Sequence, residues 1–275
     1  MTIVQSILLG ILQGIAEFLP ISSSGHLKIA QALFGLSDVP LLFDVFLHLA
    51  TLLAVVLYFR KKILSLLLVF CRWITLKKAQ SEDEEKNRRF IIAVIVSTII
   101  TGVLGIVSSK IIPDLSVKYV CAGFLVTSAL LIISAVLEKR NLAATKNNSE
   151  EQNPPNVKQA LFIGFMQGVG TLPGISRSGS TIAGALLCKV DRQTAGEYSF
   201  IVSIPAILGA FVLEAKDLGE MSESVSALTL LLGCVAAFVA GFFALAFLMK
   251  LIKKGKLEYF AFYLIPVAIL GFIIF

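Results

Sequence analysis

The stretch QGIAEFLPISSSGH, residues 13–26, lies inside an apolar region that runs from residue 3 to 36, and it interrupts that region with a proline, three consecutive serines and a glycine. This cluster does more than bend a helix: it ends one and starts another. The break strips backbone N–H and C=O groups of helical partners that hydrocarbon cannot replace, so at membrane depth it survives only where it lines a polar cavity. A hairpin of two short helices with a site at its tip is therefore expected. Residues 160–188 repeat the pattern, interrupted by PGISRSGST at 173–181.

The rest of the chain places these breaks in a bilayer. Its 275 residues are 57% apolar and 15% charged, with a mean hydropathy of +0.88, too apolar for one soluble core to hide. Six runs, 41–59, 90–108, 119–137, 198–213, 227–249 and 257–275, have or approach the roughly 17–25 residues that cross hydrocarbon as a helix. If both hairpins re-enter and these six runs span, loops 60–89, 138–158, 189–192 and 250–256 share one side and hold 19 of the 24 Lys and Arg residues. That side is predicted to be cytoplasmic. The first hairpin then enters from outside, the second from inside, and both termini face outward.

The net charge of +6 is thus a topology signal, and no nucleic-acid partner is expected. Segment 63–74, short and flanked by basic residues, is assigned to the cytoplasmic interface. The run SEDEEKNRR at 81–89 and the stretch 141–155 read as solvated linkers. Cys71, Cys121, Cys188 and Cys234 lack metal-ligand spacing and read as reduced core residues. No basic region precedes the first apolar run, so a cleaved signal peptide is not expected.

Sliding the chain by 154 residues aligns the two interrupted regions without a gap. Gly10, Gln13, Gly14, Ile21, Ser22, Ser24 and Gly25 meet Gly164, Gln167, Gly168, Ile175, Ser176, Ser178 and Gly179. Seven identities in sixteen positions against about one expected by chance indicate an internal repeat. The expected fold is an all-α polytopic membrane domain over 1–275. Repeat 1 covers about 1–137, a cytoplasmic linker 138–158 and repeat 2 159–275, each half being a re-entrant hairpin plus three spanning helices. Three spans invert the second half, the design familiar from transporters with midplane sites.

Restarted helices present free N–H groups and a positive dipole end, which bind phosphate or carboxylate. Ser22, Ser24 and Gly25 in one hairpin, with Ser176, Ser178 and Gly179 in the other, are candidate substrate-binding residues. The matched positions also differ: Glu17 faces Thr171, Ser23 faces Arg177, and His26 faces Ser180. Charged and acid-base groups are thus divided between the hairpins, as one asymmetric site would require. Arg177 needs an anionic partner in a membrane, either a phosphate or Glu17. Glu17 could hold a divalent cation, act as acid or base, or be a structural carboxylate. His26, three residues after Ser23, could share its helical face and take its proton, or be a satisfied core histidine. Asp44 and His48, four apart, read as outer support for the site or as a local pair. Glu197 reads as marking a helix start near Arg192.

The strings QGIAEFLPISSSGH and PGISRSGST, with the later GEYSFIVSIP at 196–205, resemble the signature motifs of the undecaprenyl-diphosphate phosphatases of the bacitracin-resistance family, and the likeness covers essentially the whole chain. The resemblance implies hydrolysis of undecaprenyl diphosphate to undecaprenyl phosphate and inorganic phosphate in the bacterial cytoplasmic (inner) membrane, with a site opening to the outer face. It also implies dependence on a divalent cation, Mg2+ or Ca2+, and catalytic roles for Glu17, Ser23, His26 and Arg177. Gln13 stands at the first position of the family's (E/Q)xxxE motif, so the resemblance implies Glu17 as a metal ligand and offers Gln13, with a neutral side chain, as a second candidate. Attack by Ser23 and attack by water both stay open, as do a monomer and a homodimer. The competing reading is an inverted-repeat transporter or flippase of a phosphorylated lipid.

Overall fold

The computed structural model describes residues 1–36, 39–75, 78–111, 116–144, 153–215 and 225–275. All regular structure among them is helical. The helices are α1 (Ile3–Phe18), α2 (Ser23–Leu33), α3 (Leu41–Tyr58), α4 (Arg60–Ile74), α5 (Glu82–Ile111), α6 (Val117–Ala144), α7 (Val157–Val169), α8 (Arg177–Leu187), α9 (Arg192–Glu214), α10 (Ala227–Lys254) and α11 (Glu258–Ile274). Five of them, α3, α5, α6, α9 and α10, are long and apolar enough to cross a membrane. α11 is equally apolar but has 17 residues, about 25 Å at 1.5 Å per residue and the lower edge of a span. The outer faces carry exposed apolar side chains such as Val103, Val212, Phe243 and Phe262, the surface a bilayer solvates. The chain is a multi-pass membrane protein.

The packing crosses between the halves. α1 lies most extensively against α10, and α7 lies against α5. Both contacts depend on glycine at matched repeat positions: a Cβ on Gly10 would overlap the Gly233 carbonyl of α10, and one on Gly164 would come within 2.7 Å of the Ser97 backbone of α5. Hydroxyls then bond across the close contacts, Ser6 Oγ donating to the Thr229 carbonyl at 2.7 Å and Thr101 Oγ1 to the Gly164 carbonyl at 3.0 Å. α3 packs on α10 and, less extensively, on α9, and α6 packs on α11.

Three sequence expectations need correction. The acidic run 81–89 is the opening of α5, where carboxylates complement the helix dipole. Its Glu84 is buried and pairs with Arg88 at 3.0 Å and Arg72 at 3.4 Å. α6 likewise continues to Ala144, into the stretch read as linker, of which residues 145–152 lie outside the described residues. The reading of all four cysteines as core residues fails at Cys71, which is exposed on α4; Cys121 is buried, Cys188 and Cys234 are half-buried, and all four are free thiols. Segment 63–74 belongs to α4, which buries Leu66 and Val69 and exposes Leu64, Leu67 and Leu68.

Candidate active site

Each hairpin tip is built by a serine cap. α1 ends at Phe18, Leu19 and Pro20 turn the chain, and Ser22 caps α2 by accepting a hydrogen bond from the Gly25 N–H at 3.4 Å. Ser22 holds φ 69° and ψ 94°, a conformation that costs a non-glycine residue about 1–3 kcal/mol. In the second hairpin Ser176 caps α8 by accepting from Gly179 N–H at 3.1 Å. Gly174 has φ 84° and lies so close to the Val120 backbone of α6 that no side chain fits. The Ser176 N–H donates to Thr127 Oγ1 at 2.9 Å, fixing the second tip to α6.

The tips meet. Arg177 Nη2, on the first residue of α8, donates to Glu17 Oε1 at the end of α1. The other carboxylate oxygen, Oε2, accepts from Ser23 Oγ at 2.6 Å and from Gln13 Nε2 at 3.1 Å, and lies 3.4 Å from His48 Nε2. Glu17 thus has a different set of neighbours at each oxygen. A cavity of about 330 Å³ opens beside them, with Glu17, Ser22, Ser23 and Ser24 on one wall, Thr171, Ser176 and Arg177 on another, and Leu41, Val45, Ile207 and Ala210 of α3 and α9 as an apolar mouth. A second, small pocket also bordered by Glu17 and Arg177 is lined by Ser178, Thr181 and apolar side chains of α3 and α9, and Thr181 bonds to Ser199.

Several expected partners are placed elsewhere. His26 does not reach Ser23: its Nδ1 donates to the Ser22 carbonyl at 2.9 Å, its Nε2 accepts from the Tyr263 hydroxyl at 2.9 Å, and the ring sits between Phe124 and Tyr263. Ser23 and His26 do stand three apart on α2, as their spacing predicts, but no hydrogen bond joins them: the Ser23 hydroxyl donates to Glu17, while Phe124 of α6 and Tyr263 of α11 flank the imidazole. His26 therefore holds the carbonyl of the strained residue. Gly25 and Gly179 use their amides as cap donors and do not line the cavity, and Ser178 faces the small pocket. Gln13 is buried behind Glu17. Glu197 pairs with Lys62 at 3.3 Å, while Arg192 donates to Glu138 at 2.7 Å.

Two residues gain importance that spacing alone did not give them. His48 lines the cavity and faces Glu17; its Nδ1 donates to the backbone carbonyl of Asp44 at 2.7 Å, while the Asp44 carboxylate accepts from Gln31 at 2.9 Å. Tyr263 reaches from α11 to His26, and no sequence signal pointed to it.

The donor set can be tested against a divalent cation. Among the described residues no three His, Cys, Asp or Glu side chains cluster, so the protein alone offers no closed cage there. Glu17 supplies a carboxylate, and beside it Gln13 Oε1 is a buried acceptor with no hydrogen-bond partner. This fits a cation shared with substrate, because Mg2+ is commonly held by one or two carboxylates together with phosphate oxygens and water.

Sequence comparison agrees with the geometry. The family model described as Bacitracin resistance protein BacA matches residues 6–270. The chain belongs to the BacA family. Among BacA relatives, an undecaprenyl-diphosphatase of Treponema denticola is 46% identical over 98% of this chain and 96% of its own length. One of Methanobrevibacter smithii is 40% identical over 99% and 97%. An undecaprenyl-diphosphatase 2 of Halalkalibacterium halodurans is 36% identical over 100% and 97%.

Proposed function

We propose that this BacA-family chain is an integral membrane phosphatase that hydrolyses undecaprenyl diphosphate to undecaprenyl phosphate and inorganic phosphate, recycling the carrier lipid of cell-wall synthesis and conferring bacitracin resistance. The observation that carries this reading is the convergence of Ser23 and Arg177, 154 residues apart, on the two oxygens of Glu17 inside one cavity between apolar helices. The names of the relatives supply the substrate.

The architecture in this reading is an inverted repeat with two re-entrant hairpins, supported by the crossed pairing of α1 with α10 and α7 with α5. The enzyme sits in the cytoplasmic membrane with its cavity open to the outer face. The prenyl chain stays among the spanning helices and leaves past Leu41, Val45, Ile207 and Ala210, so no soluble lipid-binding domain is required.

Arg177 and the first N–H groups of α2 and α8 hold the terminal phosphoryl group, as phosphate binds at helix N-termini. Ser23 Oγ attacks the phosphorus while its proton passes to Glu17 Oε2. The bond to the bridging oxygen breaks and undecaprenyl phosphate leaves. Glu17 gives that proton to the departing lipid phosphate. Water then attacks the phosphoserine, passing one proton to the freed Glu17 carboxylate, and as phosphate departs Glu17 returns the proton to Ser23 Oγ. His26 keeps the Ser22 turn, and with it Ser23, in place. A divalent cation, when bound, supplies neutralisation of the phosphate charge, and Glu17 and Gln13 would hold it. Phosphoryl transfer needs mainly positioning and charge stabilisation, and this set provides both.

The test is phosphate release from a polyprenyl diphosphate by the purified protein with Mg2+, compared with Ser23→Ala and Glu17→Gln. Release that both substitutions abolish without unfolding the protein is expected. No release from folded wild type, with labelled lipid instead moved across vesicles, would replace the phosphatase with the transporter reading.

A further inference from the structure

His48 poses a problem that neither its own helix nor the phosphatase reading resolves. Its Nδ1 is 2.7 Å from the Asp44 carbonyl, and a carbonyl can only accept, so Nδ1 carries a proton. Nε2 points into the cavity and stops 3.4 Å from Glu17 Oε2. That is longer than the roughly 2.7–2.9 Å of a charge-assisted hydrogen bond. Oε2 already accepts from Ser23 at 2.6 Å and Gln13 at 3.1 Å, while Arg177 occupies Oε1. In the neutral imidazole the Nε2 lone pair faces a carboxylate lone pair across this gap.

The same corner holds a second unsatisfied acceptor. Gln13 is fully buried, and its Oε1 has no hydrogen-bond partner. Exchanging O and N of that amide, which leaves the ring of neighbours unchanged, places a carbonyl oxygen 3.1 Å from Glu17 Oε2. His48 Nε2 and the Gln13 oxygen would then both face Glu17 Oε2 with no proton between them, the Ser23 hydroxyl being the one remaining donor to that oxygen among the described residues. A metal-bound histidine characteristically donates its other ring N–H to a backbone carbonyl or carboxylate, and the His48–Asp44 bond has that form.

We propose that His48 Nε2 is a protein ligand of the divalent cation, beside Glu17 Oε2 and the Gln13 amide oxygen. This rests on the reading that Glu17 binds a cation. It deepens that reading by replacing an all-oxygen donor set with a mixed one. An imidazole ligand favours a first-row transition ion such as Mn2+ over Ca2+, which takes oxygen. His48 thereby supplies a coordinating atom at a site where the motif's first position carries a neutral Gln13.

The experiment uses Mn2+ as probe and the full-length protein in detergent with methylenediphosphonate, a non-hydrolysable diphosphate. Mn2+ affinity is measured from the free-ion EPR signal, and pulsed EPR reports imidazole nitrogen bound to Mn2+. Wild type, His48→Gln, His26→Gln and Glu17→Gln are compared after a folding check by size exclusion. The chain has two histidines, so the nitrogen signal is assignable. The expected result is a nitrogen coupling in wild type and His26→Gln that disappears in His48→Gln, with Mn2+ binding weakened at least about tenfold. A weakened Glu17→Gln with no nitrogen coupling in wild type overturns the His48 assignment and leaves Glu17 as a ligand. Mn2+ binding unchanged by Glu17→Gln, or absent from wild type, overturns both.

Discussion

Replacing Arg177 with alanine separates catalysis from stability in a way the geometry can size. The Glu17 side chain is 5% exposed and that of Arg177 20%. Breaking a fully buried pair by removing one partner costs about 3–5 kcal/mol. Here Glu17 Oε2 keeps Ser23 and Gln13, and Oε1 is left beside a cavity of about 330 Å³ that admits water. The cost should therefore fall to about 1–3 kcal/mol, that of one unsatisfied buried group. The catalytic loss is larger in consequence. An arginine holding the transferring phosphoryl group does work comparable to an oxyanion-hole donor, about 2.7–4 kcal/mol or 10²–10³ in rate. Phosphate-release assays on undecaprenyl diphosphate should show kcat/KM of Arg177→Ala reduced by about that factor in protein that remains folded. Thermal unfolding followed by size exclusion should show Glu17→Gln/Arg177→Ala less destabilised than the sum of the two single substitutions, since the amide strands no charge. Activity within fivefold of wild type, or strict additivity in unfolding, would refute this account of the ion pair.

Other substitutions test the remaining elements. Incubation with substrate and rapid acid quench should leave phosphate on Ser23, detectable by peptide mass spectrometry and absent from Ser23→Ala; turnover with no trapped phosphoserine at any quench time would point to direct attack by water. Tyr263→Phe removes the hydroxyl bonded to His26 Nε2 and should lower kcat with little change in KM; combined with His26→Phe it should add nothing, because both act through the Ser22 turn. Gly10→Ala forces a Cβ into the Gly233 carbonyl and should lower stability by at least about 1–3 kcal/mol. Gly102→Ala, whose Cβ would meet nothing within 4 Å, should be neutral or stabilising by about 0.5–1 kcal/mol. Equal unfolding temperatures for these two variants would contradict the close α1–α10 contact.

What the sequence exposed and what it hid follow from the range of each interaction. The spans of α3, α9 and α10 were legible because run length alone reports the bilayer's thickness. The hairpin breaks were legible because proline and the serine caps act within a few residues. The start of α5 was hidden: SEDEEKNRR has a linker's composition, and its helix is set by the dipole and by burial of Glu84 against Arg72 of α4. The Glu17–Arg177 meeting could be anticipated from the cost of an isolated guanidinium in lipid. His48 could not be placed, since its spacing from Asp44 fits a local pair equally well and its decisive neighbour, Glu17, is on another helix. The His26 geometry was unreadable for the same reason, because Tyr263 is 237 positions away.

The crossed seating of the hairpins has a consequence for how such a molecule could have arisen. α1 rests on α10 and α7 on α5, so the first arm of each hairpin is seated mainly on the opposite half. A polypeptide ending at residue 144 would keep the contacts of α2 with α6 and of α1 with α3 but lose α10, the main support of α1, which only a second chain could replace. An ancestor half this length would thus have worked as an interlocked pair, and fusion would have joined two arms already clasped.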